Sequence, residues 1–423
     1  MVTTAIFATL LILMMIRAPI AVALGVSSVV GLLLSDISLE IIAQRLFSTN
    51  NSFPLLAIPF FILAGEIMAT GGMSRRLVDF ASALVGHFRG GLGAVAILGS
   101  SFFAALSGSN AATVAAIGGV MSGPMAEKGY RPSYTAATVA AAGVTGMIIP
   151  PSILLILYGV VTGVSIADLF LAGIGPGVVI CASMLLVNWV LIRRETVAVE
   201  PFAGGGEILR SFRAAFWPLL MPVIILGGIY GGVFTPTEAA VVAVLYGILV
   251  GFAYRELTLS GLYRAFYKAV ISSAVVMFIM NCAGVFAWLI TINQIPQNIS
   301  AYLAATAGSD LVYLLFVNLF LLLVGCLMNA AAAIVIFTAI LYPAAMSFGV
   351  DPVLFGVIMC VNLSIGTVTP PLGVDLFVAS AITRVPVERI VVVIWPYIAI
   401  LIADLMLITY VPQISIFLVE LFA

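Results

Sequence analysis

Charge is what this sequence has least of. Only 8% of its 423 residues are Asp, Glu, Lys or Arg, against about 25% in an ordinary soluble domain. The 16 Lys and Arg nearly cancel the 17 Asp and Glu, leaving a net charge of −1. A nucleic-acid partner would need a basic face, which that balance does not supply. Histidine occurs once, as His87, and the four cysteines (Cys181, Cys282, Cys326, Cys360) lie far apart in apolar segments. The cysteines therefore read as small buried side chains, and His87, beside Arg89 in a polar loop, as an interfacial residue. HExxH and a GxSxG elbow with partners are missing, as is a GxxxxGKS phosphate loop, so neither an intramembrane enzyme nor an ATPase is expected. What is abundant is apolar: 63% of residues are hydrophobic and mean hydropathy is +1.28. The chain is expected to be an all-α polytopic protein of a lipid bilayer.

Membrane spans of about 20 residues are expected at 2–16, 18–35, 53–72, 167–192, 213–233, 237–254, 270–292 and 388–411. No basic region precedes the first and no clean A-x-A site follows it, so it reads as a retained helix and not a removed signal. Over 36–52, Leu39, Ile42, Ala43 and Leu46 share a helical face opposite Glu40, Gln44 and Arg45, the pattern of a helix lying in the membrane interface. Lys and Arg cluster at Arg17, at Arg75/Arg76/Arg89, at Lys128/Arg131, at Arg193/Arg194/Arg210/Arg213, at Arg255/Arg264/Lys268 and at Arg384/Arg389. A topology that keeps every cluster cytoplasmic puts both termini outside. It also obliges 90–126 and 305–346 each to enter and leave on one side. Both are too long for one crossing and have small or polar centres, ALSGSNAAT (105–113) and VGCLMNAAA (324–332). They read as re-entrant helical hairpins, the first opening inward and the second outward.

Shifting the chain against itself by 220 positions aligns its punctuation. Gly129 meets Gly349, Pro132 meets Pro352, Gly146 meets Gly366, Pro150–Pro151 meets Pro370–Pro371, and Ser109 falls on Asn329. Each copy runs hairpin, polar loop, broken helix. Inverted repeats containing discontinuous helices are the architecture of secondary transporters, with ligands bound near the midplane. In AAAGVTGMIIPPS (140–152) the glycines permit unwinding and the prolines remove donors, which leaves carbonyl oxygens unpaired. NLSIGTVTPPLG (362–373) repeats the device and adds the Thr367 and Thr369 hydroxyls. Such oxygens suit a hard cation such as Na⁺, and half-helix N-termini suit an anion. Among intramembrane carboxylates, Glu66 is open between a functional role and a contact between helices. Glu238, after Thr235 and Pro236, reads as a capping box, and Asp168 as part of a helix start. Asp375, four residues beyond the second double proline, is a candidate for the site, and Asp404 shows no partner.

FFAALSGSNAATVAAIG (102–118), MAEKGYRPSYTAA (125–137), the GMIIPPS break and NLSIGTVTPPLGVDLF (362–377) together resemble one family. This is the large membrane subunit (M subunit, DctM-like) of tripartite ATP-independent periplasmic (TRAP) transporters, and the similarity runs from first helix to last. The resemblance implies a Na⁺-driven importer of an organic acid, such as a C4-dicarboxylate or sialic acid, in a bacterial inner membrane. Its partners would be a small membrane subunit (Q type) and a periplasmic substrate-binding protein (P type). It implies an elevator mechanism: scaffold helices over 1–72, a first transport repeat over 73–166 (hairpin 90–126, broken helix 133–158), scaffold and connecting helices over 167–292, a second transport repeat over 293–386 (hairpin 305–346, broken helix 352–382) and a C-terminal scaffold helix over 387–423. By similarity, one Na⁺ site would use Ser107, Gly146, Ile149 and Pro151, and a second Gly325, Gly366, Thr369 and Leu372. Substrate would lie near Ser109, Asn110 and Asn329, with Asp375 as a further candidate. The alternative is a standalone Na⁺-coupled di- or tricarboxylate symporter. Its tips would carry Ser-Asn-Thr, whereas Ser109-Asn110 here is followed by Ala111.

Overall fold

A computed structural model of the chain describes every residue except 1, 17, 195–196, 198–200, 300, 302–307 and 423. Arg17 and the first residues of the expected second hairpin (305–307) therefore lie outside the described residues. Every regular element described is a helix, and among the described residues seven helices are long and apolar enough to cross a membrane. The chain begins with α1 (Val2–Met15), α2 (Ile20–Leu34), α3 (Glu40–Asn50), α4 (Ala57–Thr70) and α5 (Met73–Val85). The short α3 packs along a later helix, with Ile42 against the core, and its Arg45 lies over the Trp288 ring at 4.7 Å.

A first hairpin follows, made of α6 (Gly91–Ser107) and α7 (Asn110–Glu127), and then a helix in two halves, α8 (Pro132–Gly143) and α9 (Ile153–Thr162). Four long helices come next: α10 (Ile166–Leu191), α11 (Gly204–Tyr230), α12 (Pro236–Ala253) and α13 (Leu259–Ile292). The same motif then recurs as the hairpin α14 (Asp310–Gly325) and α15 (Ala330–Ser347), followed by the half-helices α16 (Pro352–Gly366) and α17 (Val374–Thr383). The chain closes with α18 (Val387–Tyr410) and α19 (Gln413–Phe422). This end is two helices and not the single one expected, because Pro412 has no N–H with which to continue α18.

Local chemistry explains where each copy turns. Pro132 and Pro352 occupy the first position of α8 and α16, where a missing N–H leaves no helical bond unmade. Hairpin 1 reverses within two residues, which requires Gly108 at φ +61° and Ser109 as the N-cap of α7. Hairpin 2 places Asn329 at the matching position, where its Oδ1 accepts from Ala331 N at 2.9 Å. In copy one, α8 tightens to a 3₁₀ turn over Val144–Met147 before the two prolines, and Ser152 caps α9. Both double-proline bonds are cis. Thr235 and Glu238 form the expected capping box at the start of α12. Asp168 gives its N–H to Ser165 at the start of α10.

The two copies are woven together. In each, the first hairpin helix packs on its own first half-helix: α6 on α8, α14 on α16. The second hairpin helix crosses to the other copy, so α7 packs on α17 and α15 on α9. Tyr158 of α9 donates to the Pro352 carbonyl at 2.7 Å and sews the two together from the side.

Candidate functional site

The crossed packing brings both hairpin tips and both breaks to one place. At tip 1 the Ser107 hydroxyl meets Thr113 Oγ1 at 2.8 Å, and Thr113 donates to the Ser109 carbonyl at 2.9 Å. The first break lies against this tip. Ile153 N donates to the Gly108 carbonyl at 3.4 Å, a Cβ added to Gly108 would lie 2.8 Å from the Pro151 carbonyl oxygen, and one added to Gly146 would lie 2.5 Å from that of Ser109. Ser107, Gly146 and Pro151 are thus neighbours. Ile149 belongs to the same break through its backbone, while its side chain packs against Gly177 of α10. Thr113 joins this group without having been singled out in the sequence; its place four residues after Ser109, on one helix face, was the available signal.

The second break repeats the approach on tip 2. A Cβ on Gly366 would sit 2.4 Å from the Gly325 carbonyl carbon, a contact that only glycine permits. Thr369 N donates to the Gly366 carbonyl at 3.1 Å, and the Thr369 hydroxyl donates to that of Ile365 at 2.8 Å. The Thr369 oxygen keeps lone pairs for a further partner. Leu372 is 49% exposed at the outer end of this break. Among the described residues no group of three His, Cys, Asp or Glu could hold a metal ion. The donor set at both breaks is hydroxyl and main-chain oxygen, which fits a hard monovalent cation.

Between the tips lies a cavity of about 430 Å³ lined by Ser107, Ser109, Met147, Asn329, Thr367 and Asp375, with Glu66 of α4 and Ser272 of α13 on the opposite wall. Both capping residues, Ser109 and Asn329, face it, so the N-termini of α7 and α15 end at one space. Asn110 is not on its wall. It is fully buried, and its amide reaches across to Thr367 Oγ1 at 2.9 Å. Glu66 is therefore part of the site. Asp404, without a partner in the sequence reading, accepts a hydrogen bond from Ser183 of α10. His87 lies tilted on Phe88 and edge-on to Phe202, away from the cavity.

A family model described as "Tripartite ATP-independent periplasmic transporter, DctM component" matches residues 7–414. The chain belongs to this family. A DctM relative from Pseudomonas aeruginosa, the C4-dicarboxylate TRAP transporter large permease protein, is 43% identical over 93% of this chain and 92% of its own length. The isethionate TRAP transporter permease protein DctMQ of Oleidesulfovibrio alaskensis is 41% identical over 96% of this chain, which spans 64% of that longer protein. Among solved structures, the YdaH transporter of Alcanivorax borkumensis superposes with a TM-score of 0.66 over 88% of each chain at 16% identity, a likeness of fold. This DctM chain is a TRAP-transporter large permease, a multi-pass protein of the bacterial inner membrane.

Proposed function

We propose that this DctM chain carries a small organic acid anion into the cell together with Na⁺, after a periplasmic binding protein of the P type delivers it, and that a small Q-type membrane subunit completes the complex. The observation that carries this reading is the charge of the cavity. Glu66 and Asp375 line it, and no Lys, Arg or His is among its lining residues. Two helix N-termini, each worth roughly half a positive charge, attract a carboxylate but do not neutralise it alongside two acids. An anion settles there more favourably with accompanying cations. The main-chain and hydroxyl oxygens gathered at the two breaks, around Gly146 and Gly366, are where those cations would fit. Ser109, Asn329 and Asp375 would face the substrate, with Asn110 supporting them from behind. The two relatives act on a C4-dicarboxylate and on isethionate by name; both are small organic anions, and the class carries over as the proposed cargo.

In this reading the hairpins and half-helices move as an elevator against α1–α4 and α11–α13. Helices α10 and α18 travel with them and are not scaffold, in contrast to the division at 167 and 387 read from the sequence. They are pinned to the first broken helix by Tyr134 to Asn188 at 2.5 Å and Thr138 with Tyr397 at 3.1 Å, and to the second hairpin by Asn318 to Thr409 at 3.0 Å. Both termini would be periplasmic. The test is uptake of a C4-dicarboxylate and of isethionate into proteoliposomes holding the chain with its small membrane subunit. Accumulation should require both an inward Na⁺ gradient and the binding protein. Uptake that ignores Na⁺ would sink the coupling, and full uptake without the binding protein would return the standalone symporter.

A further inference from the structure

One polar cluster beside the cavity belongs to neither break's repeated design. Asn110 Nδ2 lies 2.9 Å from Thr367 Oγ1 and 3.5 Å from the Ser364 carbonyl. Thr367 Oγ1 lies 2.6 Å from that carbonyl and 2.5 Å from Asp375 Oδ2. A hydroxyl has one proton, so Thr367 satisfies only one of these two acceptors at a time. The other oxygens are left over: Asn110 Oδ1, Asp375 Oδ1 and Ser364 Oγ have no hydrogen-bond partner. Yet all four residues are buried, Asn110 and Ser364 at 0% exposure, Asp375 at 1% and Thr367 at 5%. The two ion pairs given by the described residues lie elsewhere, Arg76 with Glu256 and Arg210 with Glu207. Unpartnered buried oxygens are costly, and more so where the group is charged.

The cluster has no counterpart in the other copy. Moving by 220 positions turns Asn110 into Ala330, and Ser364, Thr367 and Asp375 into Val144, Met147 and Leu155. The repeat explains Gly146 and Gly366, the prolines and the capped tips. It does not explain these four oxygen-bearing residues, which meet only because tip 1 crosses to break 2. Turning the Asn110 amide over exchanges two groups of nearly equal size. It would bring the spare Oδ1 beside Thr367 Oγ1, the Ser364 carbonyl and the Asp375 carboxylate.

We propose that Asn110, Ser364, Thr367 and Asp375 form an additional monovalent-cation site at the floor of the cavity, distinct from the two expected at the breaks. One carboxylate balances one positive charge. A divalent ion such as Ca²⁺ takes six to eight oxygens, several of them anionic, and this cluster has a single acid. The site rests on the Na⁺-coupled reading above and adds an ion to it. A cation here would tie tip 1 to break 2 directly under the substrate, so its binding and the anion's would favour each other.

The experiment counts ²²Na⁺ bound to the purified chain with its small membrane subunit, without substrate. Wild type should bind about one ion more than the two of the breaks. Asp375→Asn and Thr367→Val should each lose about one ion, and Thr367→Ser should retain it. A wild-type count of two overturns the additional site whether or not any variant folds, and leaves the coupling reading intact. Equal counts in wild type, Asp375→Asn and Thr367→Val overturn it as well, as they would if the Asp375 carboxyl were simply protonated. A wild type that binds no Na⁺ overturns the coupling itself and this site with it.

Discussion

The two repeats of this DctM chain differ where their frameworks agree most closely. Each begins its broken helix with proline at the first position, turns its hairpin on a capping residue and seats a glycine against its own tip. At three pairs of positions inside that frame, the second copy has Thr367, Thr369 and Asp375 where the first has Met147, Ile149 and Leu155. The lesson is a division of labour. Backbone interruption is shared and would bare oxygens for cations in both halves. Side-chain oxygen is concentrated on one side, which makes the second break the more polar partner of the cavity.

The severest test of the shared frame is to fill its closest approaches. Gly366→Ala and Gly146→Ala each drive a methyl group into main-chain atoms of a hairpin tip, 2.4 Å and 2.5 Å away. Overpacking of this kind costs about 1–3 kcal/mol. Because the displaced atoms line the proposed ion sites, uptake should drop by about tenfold or more in both variants. If Gly146→Ala transports normally while Gly366→Ala does not, the copies are not equivalent.

A second test separates backbone from side-chain oxygen. Thr369→Ala should raise the Na⁺ concentration for half-maximal uptake by roughly tenfold, the equivalent of about 1.4 kcal/mol, with little change in which acid is carried. Ile149→Ala at the matching position should lower the melting temperature through lost packing on Gly177 and leave the Na⁺ response unchanged. An equal Na⁺ shift in both would remove the distinction.

Smaller effects are expected at the tips. Ser109→Ala and Asn329→Ala each delete a cap worth about 1 kcal/mol, and each should raise the half-saturating acid concentration a few-fold. Single cysteines at 109 and 329 should label from opposite membrane sides as the carrier cycles; labelling from one side throughout would contradict the elevator. The least effect belongs to Thr235→Ala, which breaks a capping box outside both repeats. It should cost about 1 kcal/mol in stability and leave uptake as it was.

Much of this fold was legible because its signals are local. A glycine that must turn, a proline that cannot donate and a Ser or Asn that caps act within a few residues, and the 220-residue offset doubled each signal. The polar contacts of the site were less legible. Asn110 reads as a tip residue like Ser109, yet a helix that begins between them rotates the two side chains apart, one to the cavity and one to Thr367, 257 residues away. Glu66 was ambiguous for the same reason, since which face of α4 meets the tips depends on packing with α6. Asp404 found Ser183 only through the pairing of α10 with α18.

By itself the sequence determined that this chain lives in a bilayer, where the backbone must break, and that it breaks twice in matching fashion, because a helix in hydrocarbon tolerates Gly and Pro only where something else satisfies the freed groups. Only the tertiary structure decided which freed groups meet. The crossing of α7 onto α17 and α15 onto α9 gathers two tips, two breaks and two acids around one cavity. Helix rotation and crossing are set by how whole faces pack, and no short stretch of residues encodes that choice.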